Sequence, residues 1–124
     1  MSSDQLKQKL KENGADVEGT LHRFMNNDAL FLKFILKFKD DKNYAALKDA
    51  LEQRNYEEAF KAAHTLKGVS ANLGLNPIYD CASAVTELLR GKEASEVDVE
   101  KVDEQKNALE EAYKLFIGII EENA

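Results

Sequence analysis

His64 is the residue of this sequence whose neighbours point most clearly to chemistry. The chain has 124 residues, with two histidines, one cysteine and no tryptophan. Lys67 and Gly68 follow His64 at i+3 and i+4, the two positions that lie one turn further along an α-helix. Helical side chains lean toward the N-terminus, so these two positions are predicted to lie beside and over the imidazole.

This spacing predicts a histidine that a phosphoryl group can reach. A lysine ammonium is a good point-charge partner for phosphate, and glycine leaves the space over the ring empty. A glycine inside a helix costs about 1 kcal/mol relative to alanine, so we expect Gly68 to have a function. Neutral imidazole is a nucleophile near pH 7 and can carry a phosphoryl group on a ring nitrogen. Without a nucleotide site or general base, the pattern predicts a phosphoryl carrier rather than an enzyme.

The helix around His64, predicted over residues 56–73, must turn this residue away from the core. On a helical wheel, a stripe of small and medium side chains is centred on Leu66. That stripe contains Ala59, Ala62, Ala63, Leu66, Val69, Ser70 and Leu73. His64 lies about 160° from Leu66, and its outer face also contains Phe60, Lys61, Lys67, Gly68 and Ala71. We therefore expect His64 to face solvent.

The composition predicts an all-α fold. The chain has 6 glycines and 1 proline, whereas average usage gives roughly 9 and 6 for this length. A sequence poor in turn-forming residues and rich in Ala, Leu, Lys and Glu has little material for sheets and hairpins. A single domain over residues 1–124 is large enough to bury a core without disulfides or metal ions.

Hydrophobic periodicity and helix-end residues divide the chain into predicted helices. Residues 1–27 are expected to form short N-terminal helices that cover one end or side of a bundle. Residues 28–122 are expected to form an antiparallel up-down-up-down four-helix bundle, the economical arrangement for helices with short connections. The predicted bundle helices cover residues 28–53, 56–73, 77–90 and 99–122. The first of these is expected to be loosened at Asp40 and Asp41, where the apolar phase drifts.

Charge and hydropathy argue against several function classes. The 17 basic and 23 acidic residues give a net charge of −6, without the basic block of a nucleic-acid-binding protein. The apolar runs are too short to span a bilayer, and the first 14 residues lack the apolar segment of a secretory signal. Cys81 has no partner for an internal disulfide. We expect a cytoplasmic, monomeric protein that binds no cofactor and no metal ion.

The sequence around His64 resembles the histidine-containing phosphotransfer (HPt) domains of two-component phosphorelays. Residues 64–74 read HTLKGVSANLG, close to the family signature H-[ST]-[LI]-K-G-x-[AS]-x-x-[LIV]-G, and the resemblance extends over residues 28–120. It implies that His64 is the phospho-acceptor, that Lys67 helps to hold the phosphoryl group and that Gly68 gives access.

The same resemblance implies the partners of the chain. These are response-regulator receiver domains, which carry a phospho-accepting aspartate and Mg²⁺, and a hybrid sensor histidine kinase. Such partners would dock over the exposed histidine face. Phe60 and Ala71 suit the apolar part of that docking patch, and Lys61 would add positive potential.

Three functional hypotheses follow from these residues. The first is a phosphorelay intermediate that receives a phosphoryl group from one receiver aspartate and passes it to another. The second is the phosphotransfer module of a chemotaxis-type histidine kinase, phosphorylated by a separate kinase domain. The third is a non-phosphorylated helical adaptor whose histidine is incidental.

Overall fold

The computed structural model describes residues 3–123, and every regular element within that range is helical. The α-helices in chain order are α1 (Ser3–Glu12), α2 (Val17–Arg23), α3 (Asp28–Lys37), α4 (Asn43–Glu52), α5 (Tyr56–Leu73), α6 (Asn76–Leu89) and α7 (Val99–Glu122). Short 3₁₀ helices at Phe38–Asp40 and Ala94–Glu96 lie in the connections that precede α4 and α7. The all-α prediction is confirmed.

Helices α4, α5, α6 and α7 pack in sequence order as an up-down-up-down bundle. Only residues 53–55 separate α4 from α5, and only residues 74–75 separate α5 from α6, so the chain reverses direction at each connection. Tyr44 of α4 stacks on Tyr113 of α7 with ring centroids 4.0 Å apart, which brings the first and last bundle helices together. Each helix contributes fully buried side chains to the core, among them Leu47, Leu66, Ile78 and Phe116.

The predicted single helix over residues 28–53 is wrong, because the chain breaks between α3 and α4. The backbone of Asp41 is extended, with φ −67° and ψ 132°. Its carboxylate accepts hydrogen bonds from the backbone N–H of Asn43 at 3.1 Å and from the Asn43 side chain at 2.9 Å. Aspartate side chains compete for backbone N–H groups in this way and so favour helix starts over helix interiors. The first bundle helix is therefore α4 alone.

The N-terminal helices pack onto the bundle. Helix α1 lies against α7 and buries Leu6 and Leu10 completely. Helix α3 buries Phe31 and Ile35 completely. These four side chains belong to the same hydrophobic cluster as the bundle core. The segment before α4 thus adds to the core as well as covering it.

Helix α2 is joined to the C-terminal end of α5. Gly74, which ends α5 with a positive φ of 72°, accepts a hydrogen bond at its carbonyl from the backbone N–H of Asp16 at 2.8 Å. The guanidinium of Arg23 donates to the carbonyls of Ala71 at 2.9 Å and Asn72 at 3.2 Å. These carbonyls belong to the last turn of α5, where the regular i+4 donors of the helix are missing. Helix α2 therefore caps the helix that carries His64.

Replacement of Gly74 by alanine should destabilise the protein by about 2–5 kcal/mol. A left-handed backbone costs roughly 1–2 kcal/mol for a residue with a Cβ, and overpacking adds about 1–3 kcal/mol. The new Cβ would lie 2.6 Å from the Asp16 carbonyl oxygen and would overlap Thr20 Oγ1. Urea denaturation of both proteins measures the difference.

Gly91→Ala is the matched control, because Gly91 also has a positive φ, 65°, but open space around its Cβ direction. It should lose only about 1–2 kcal/mol, the backbone part of the cost. If both variants lost the same free energy of unfolding, the contact of α2 with Gly74 would not contribute to stability.

Candidate functional site

The caps of helix α5 and its packing between two neighbouring helices fix which of its faces points outward. The side chain of Asn55 accepts a hydrogen bond from the backbone N–H of Glu58 at 3.3 Å and caps the start of the helix. Helices α4 and α6 pack on either side of α5. The buried residues of α5 are Ala59, Ala62, Ala63, Leu66, Ser70 and Leu73. This buried stripe agrees with the predicted wheel except at Val69, which is only half-buried.

The structure places every predicted site residue on the opposite, outer face of α5. His64 and Gly68 are exposed, and Lys67 is half-buried beside them. The side chains predicted for partner docking lie on the same face, with Lys61 and Ala71 exposed and Phe60 half-buried. The helix thus brings together the residues that the sequence pattern selected.

No packing contact requires a glycine at position 68. A Cβ built on Gly68 meets no atom within 4 Å in the described part of the chain, so an alanine would fit without a clash. Such a side chain would instead occupy the free volume on the outer face, one turn beyond His64. The glycine therefore leaves this volume empty.

Lys67 and Lys61 differ in their charge environment. The ammonium of Lys61 lies 3.5 Å from the Glu58 carboxylate and 3.8 Å from the Glu57 carboxylate. Within residues 3–123 no carboxylate lies within ion-pair distance of Lys67. Of these two lysines, Lys67 is therefore the one whose ammonium can pair with an anionic group without first leaving a carboxylate.

An aromatic ring lies next to the imidazole, nearly parallel to it. Phe60 lies one turn before His64, and the two rings are nearly parallel at 13° with centroids 6.0 Å apart. The guanidinium of Arg90, at the end of α6, lies 5.2 Å from the centroid of the Phe60 ring. Sequence reasoning found Phe60 but missed Arg90. Residues 60 and 90 are about equally far along the chain from the turn between α5 and α6. In two antiparallel helices this spacing places residues at the same level, so it is the sequence signal that points to Arg90.

A second missed feature is an apolar groove of about 830 Å³ beside the C-terminal half of α5. Its aromatic wall is formed by Phe24 and Phe34, whose rings stack with centroids 5.3 Å apart. Val69 and Asn72 line it from the side of α5. The groove depends on how α2 and α3 pack on the bundle, which periodicity within each helix does not specify.

Other kinds of chemistry find little support in the described residues. Within residues 3–123 no group of His, Cys, Asp and Glu side chains has the arrangement of a metal site. Burial, and then the nearby Asp80 carboxylate, raise the pKa of the Cys81 thiol, which disfavours the reactive thiolate. Over the same residues, none of the helices has the length and apolar character needed to cross a bilayer.

The chain belongs to the Hpt domain family. The family model of the Hpt domain matches residues 41–114, which cover α4, α5, α6 and the greater part of α7. No match to a curated protein or to a solved structure was found. Membership implies histidine phosphotransfer in two-component relays, the role of a phosphocarrier, and interaction with receiver domains and kinases. Helices α1, α2 and α3 precede the matched region.

Proposed function

We propose that this protein is a phosphorelay intermediate in which His64 accepts a phosphoryl group from the aspartate of one receiver domain and passes it to another. The observation that carries the proposal is the exposed imidazole with the unpaired Lys67 and the open space over Gly68 on the same helix face. Phosphoryl transfer needs mainly positioning and charge stabilisation, and this face supplies an acceptor and a cation.

The transfer consists of one bond exchange at phosphorus. A neutral ring nitrogen of His64 attacks the phosphorus of the aspartyl phosphate, a P–N bond forms, the P–O bond breaks, and the aspartate leaves as a carboxylate. In the second transfer the carboxylate of another receiver attacks, and the imidazole leaves with its electron pair. The Lys67 ammonium can pair with the phosphoryl oxygens while the group rests on His64. Any Mg²⁺ is expected at the aspartate of the receiver.

Docking of a receiver is expected to involve the outer face around His64. Phe60 and Ala71 supply apolar surface there, and Lys61 supplies a charge that Glu57 and Glu58 partly neutralise. We further propose that the protein acts as a single domain and as a monomer in the cytoplasm, where Hpt domains typically work.

The relay is tested with purified receiver domains from the source organism. Each receiver is phosphorylated with labelled acetyl phosphate, freed of excess donor and mixed with the protein. A cognate receiver should transfer label to the protein, and this label should be stable to alkali and lost in acid, as expected for a phosphoramidate. Addition of a second unphosphorylated receiver should then remove it.

Two other outcomes would contradict the proposal. Label that appears only when a histidine kinase and ATP are supplied, and never from a receiver, would favour the chemotaxis-type phosphotransfer module. Absence of label under both conditions would favour a helical adaptor.

A further inference from the structure

We propose that Phe60 is a positioning residue for His64 and that Arg90 holds Phe60 in place. The kinetic part of this inference rests on the proposed function, whereas its structural part does not. The inference starts from three groups on two helices: the imidazole and the Phe60 ring on α5, and the Arg90 guanidinium at the end of α6.

A parallel ring beside the imidazole restricts its rotation without blocking its reactive atoms. Phe60 and His64 are at i and i+4, so their side chains are neighbours along one helix face. The two rings are nearly parallel, at 13° with centroids 6.0 Å apart, so rotation of the imidazole about its Cβ–Cγ bond would change its contact with the Phe60 ring. The lone pair of a ring nitrogen lies in the plane of the imidazole. Stacking on the flat face therefore leaves both nitrogens accessible at the edge.

Arg90 connects this pair to a second helix. Its Nε donates to the Glu87 carboxylate at 3.2 Å, and its guanidinium lies over the Phe60 ring. A cation over an aromatic face is attracted by the ring quadrupole. Phe60 is thus held both by its own helix and by a side chain from α6, so its ring has less freedom than that of an isolated surface phenylalanine.

These contacts give the imidazole of His64 a defined orientation. Phe60 lies on the N-terminal side of His64, while Lys67 and the open space over Gly68 lie on the C-terminal side. A fixed orientation raises the fraction of encounters in which the nitrogen, the phosphorus and the leaving group are in line, and misalignment by about 1 Å costs rate by powers of ten.

The structural part is tested by NMR of the unphosphorylated protein. The ring current of Phe60 contributes to the chemical shifts of the imidazole Cδ2 and Cε1 protons of His64, because the two rings are neighbours. Phe60→Leu should change these shifts, and Arg90→Gln should change them in the same direction by a smaller amount. His22 serves as the internal reference, since Phe60 has no ring contact with it. Unchanged His64 resonances in Phe60→Leu would overturn the proposal.

The kinetic part is tested with phosphoramidate, a small donor that needs no docking surface. In this reaction the imidazole nitrogen attacks phosphorus and ammonia leaves. Phe60→Leu should slow the reaction on the order of tenfold, Phe60→Tyr should restore most of the rate, and Leu115→Ala on the exposed face of α7 should leave it unchanged. Loss of rate with phosphorylated receivers but not with phosphoramidate would overturn positioning and assign Phe60 to docking. If the wild-type protein takes no phosphoryl group, the proposed function fails, and the NMR result still decides whether Phe60 orders His64.

Discussion

Substitution of His64 by glutamine is expected to abolish phosphoryl uptake from a phosphorylated receiver. Glutamine keeps a polar side chain of similar reach but has no nitrogen that can form the phosphoramidate. The His64 side chain is exposed and makes no hydrogen bond within residues 3–123, so its replacement should leave the helix content and the thermal midpoint unchanged. Gel autoradiography of wild type and variant, with circular dichroism as the check on folding, measures both.

The second histidine provides the matched control. His22 is also exposed, but it lies on α2 without a lysine at i+3 or a glycine at i+4. His22→Gln should take up label at the wild-type rate. Acid-labile label on His64→Gln, or its loss in His22→Gln, would show that the wrong histidine has been assigned.

Replacement of Gly68 by glutamine is expected to slow phosphotransfer by about 100-fold or more while the fold is kept. The added side chain would fill the open volume one turn beyond His64 and displace either the incoming aspartyl phosphate or the docked receiver. Displacement of the reacting atoms by about 1 Å is enough for an effect of this size. Single-turnover transfer from a phosphorylated receiver gives the rate.

Gly118 is a control of the same kind on another helix. It lies inside α7, and a Cβ there also meets no atom within 4 Å in the described part of the chain. Both Gly→Gln variants should gain about 0.5 kcal/mol in stability from improved helix propensity. Only the change at Gly68 should slow transfer. Equal transfer rates for the two variants would contradict the role of Gly68 in access.

The helix that carries the site could be predicted from sequence because its determinants are local. Its buried stripe of small residues repeats with the helical period, Asn55 caps its start, and Gly74 ends it in a left-handed conformation. The outward direction of His64 follows from the same periodicity. Gly68 could be recognised as unusual because a glycine within such a helix has a cost that the fold does not explain.

The features that sequence reasoning missed depend on contacts between separate elements or on local competition for backbone hydrogen bonds. The break before α4 arises because the Asp41 carboxylate takes hydrogen bonds from Asn43, and the apolar periodicity around it showed only a drift. The contact of Arg90 with Phe60 requires the register of α5 against α6. The capping of α5 by Arg23 joins residues almost fifty positions apart, and no repeat within either helix encodes it.

The central claim, that His64 carries the phosphoryl group, is tested most directly by locating that group. The protein is phosphorylated by a cognate receiver, kept at alkaline pH and digested, and the peptides are sequenced by mass spectrometry with electron-transfer fragmentation, which preserves the P–N bond. We predict one phosphoryl group, on His64, and none on His22. A phosphoryl group on any other residue, or its absence from the His64 peptide of labelled protein, would contradict the account.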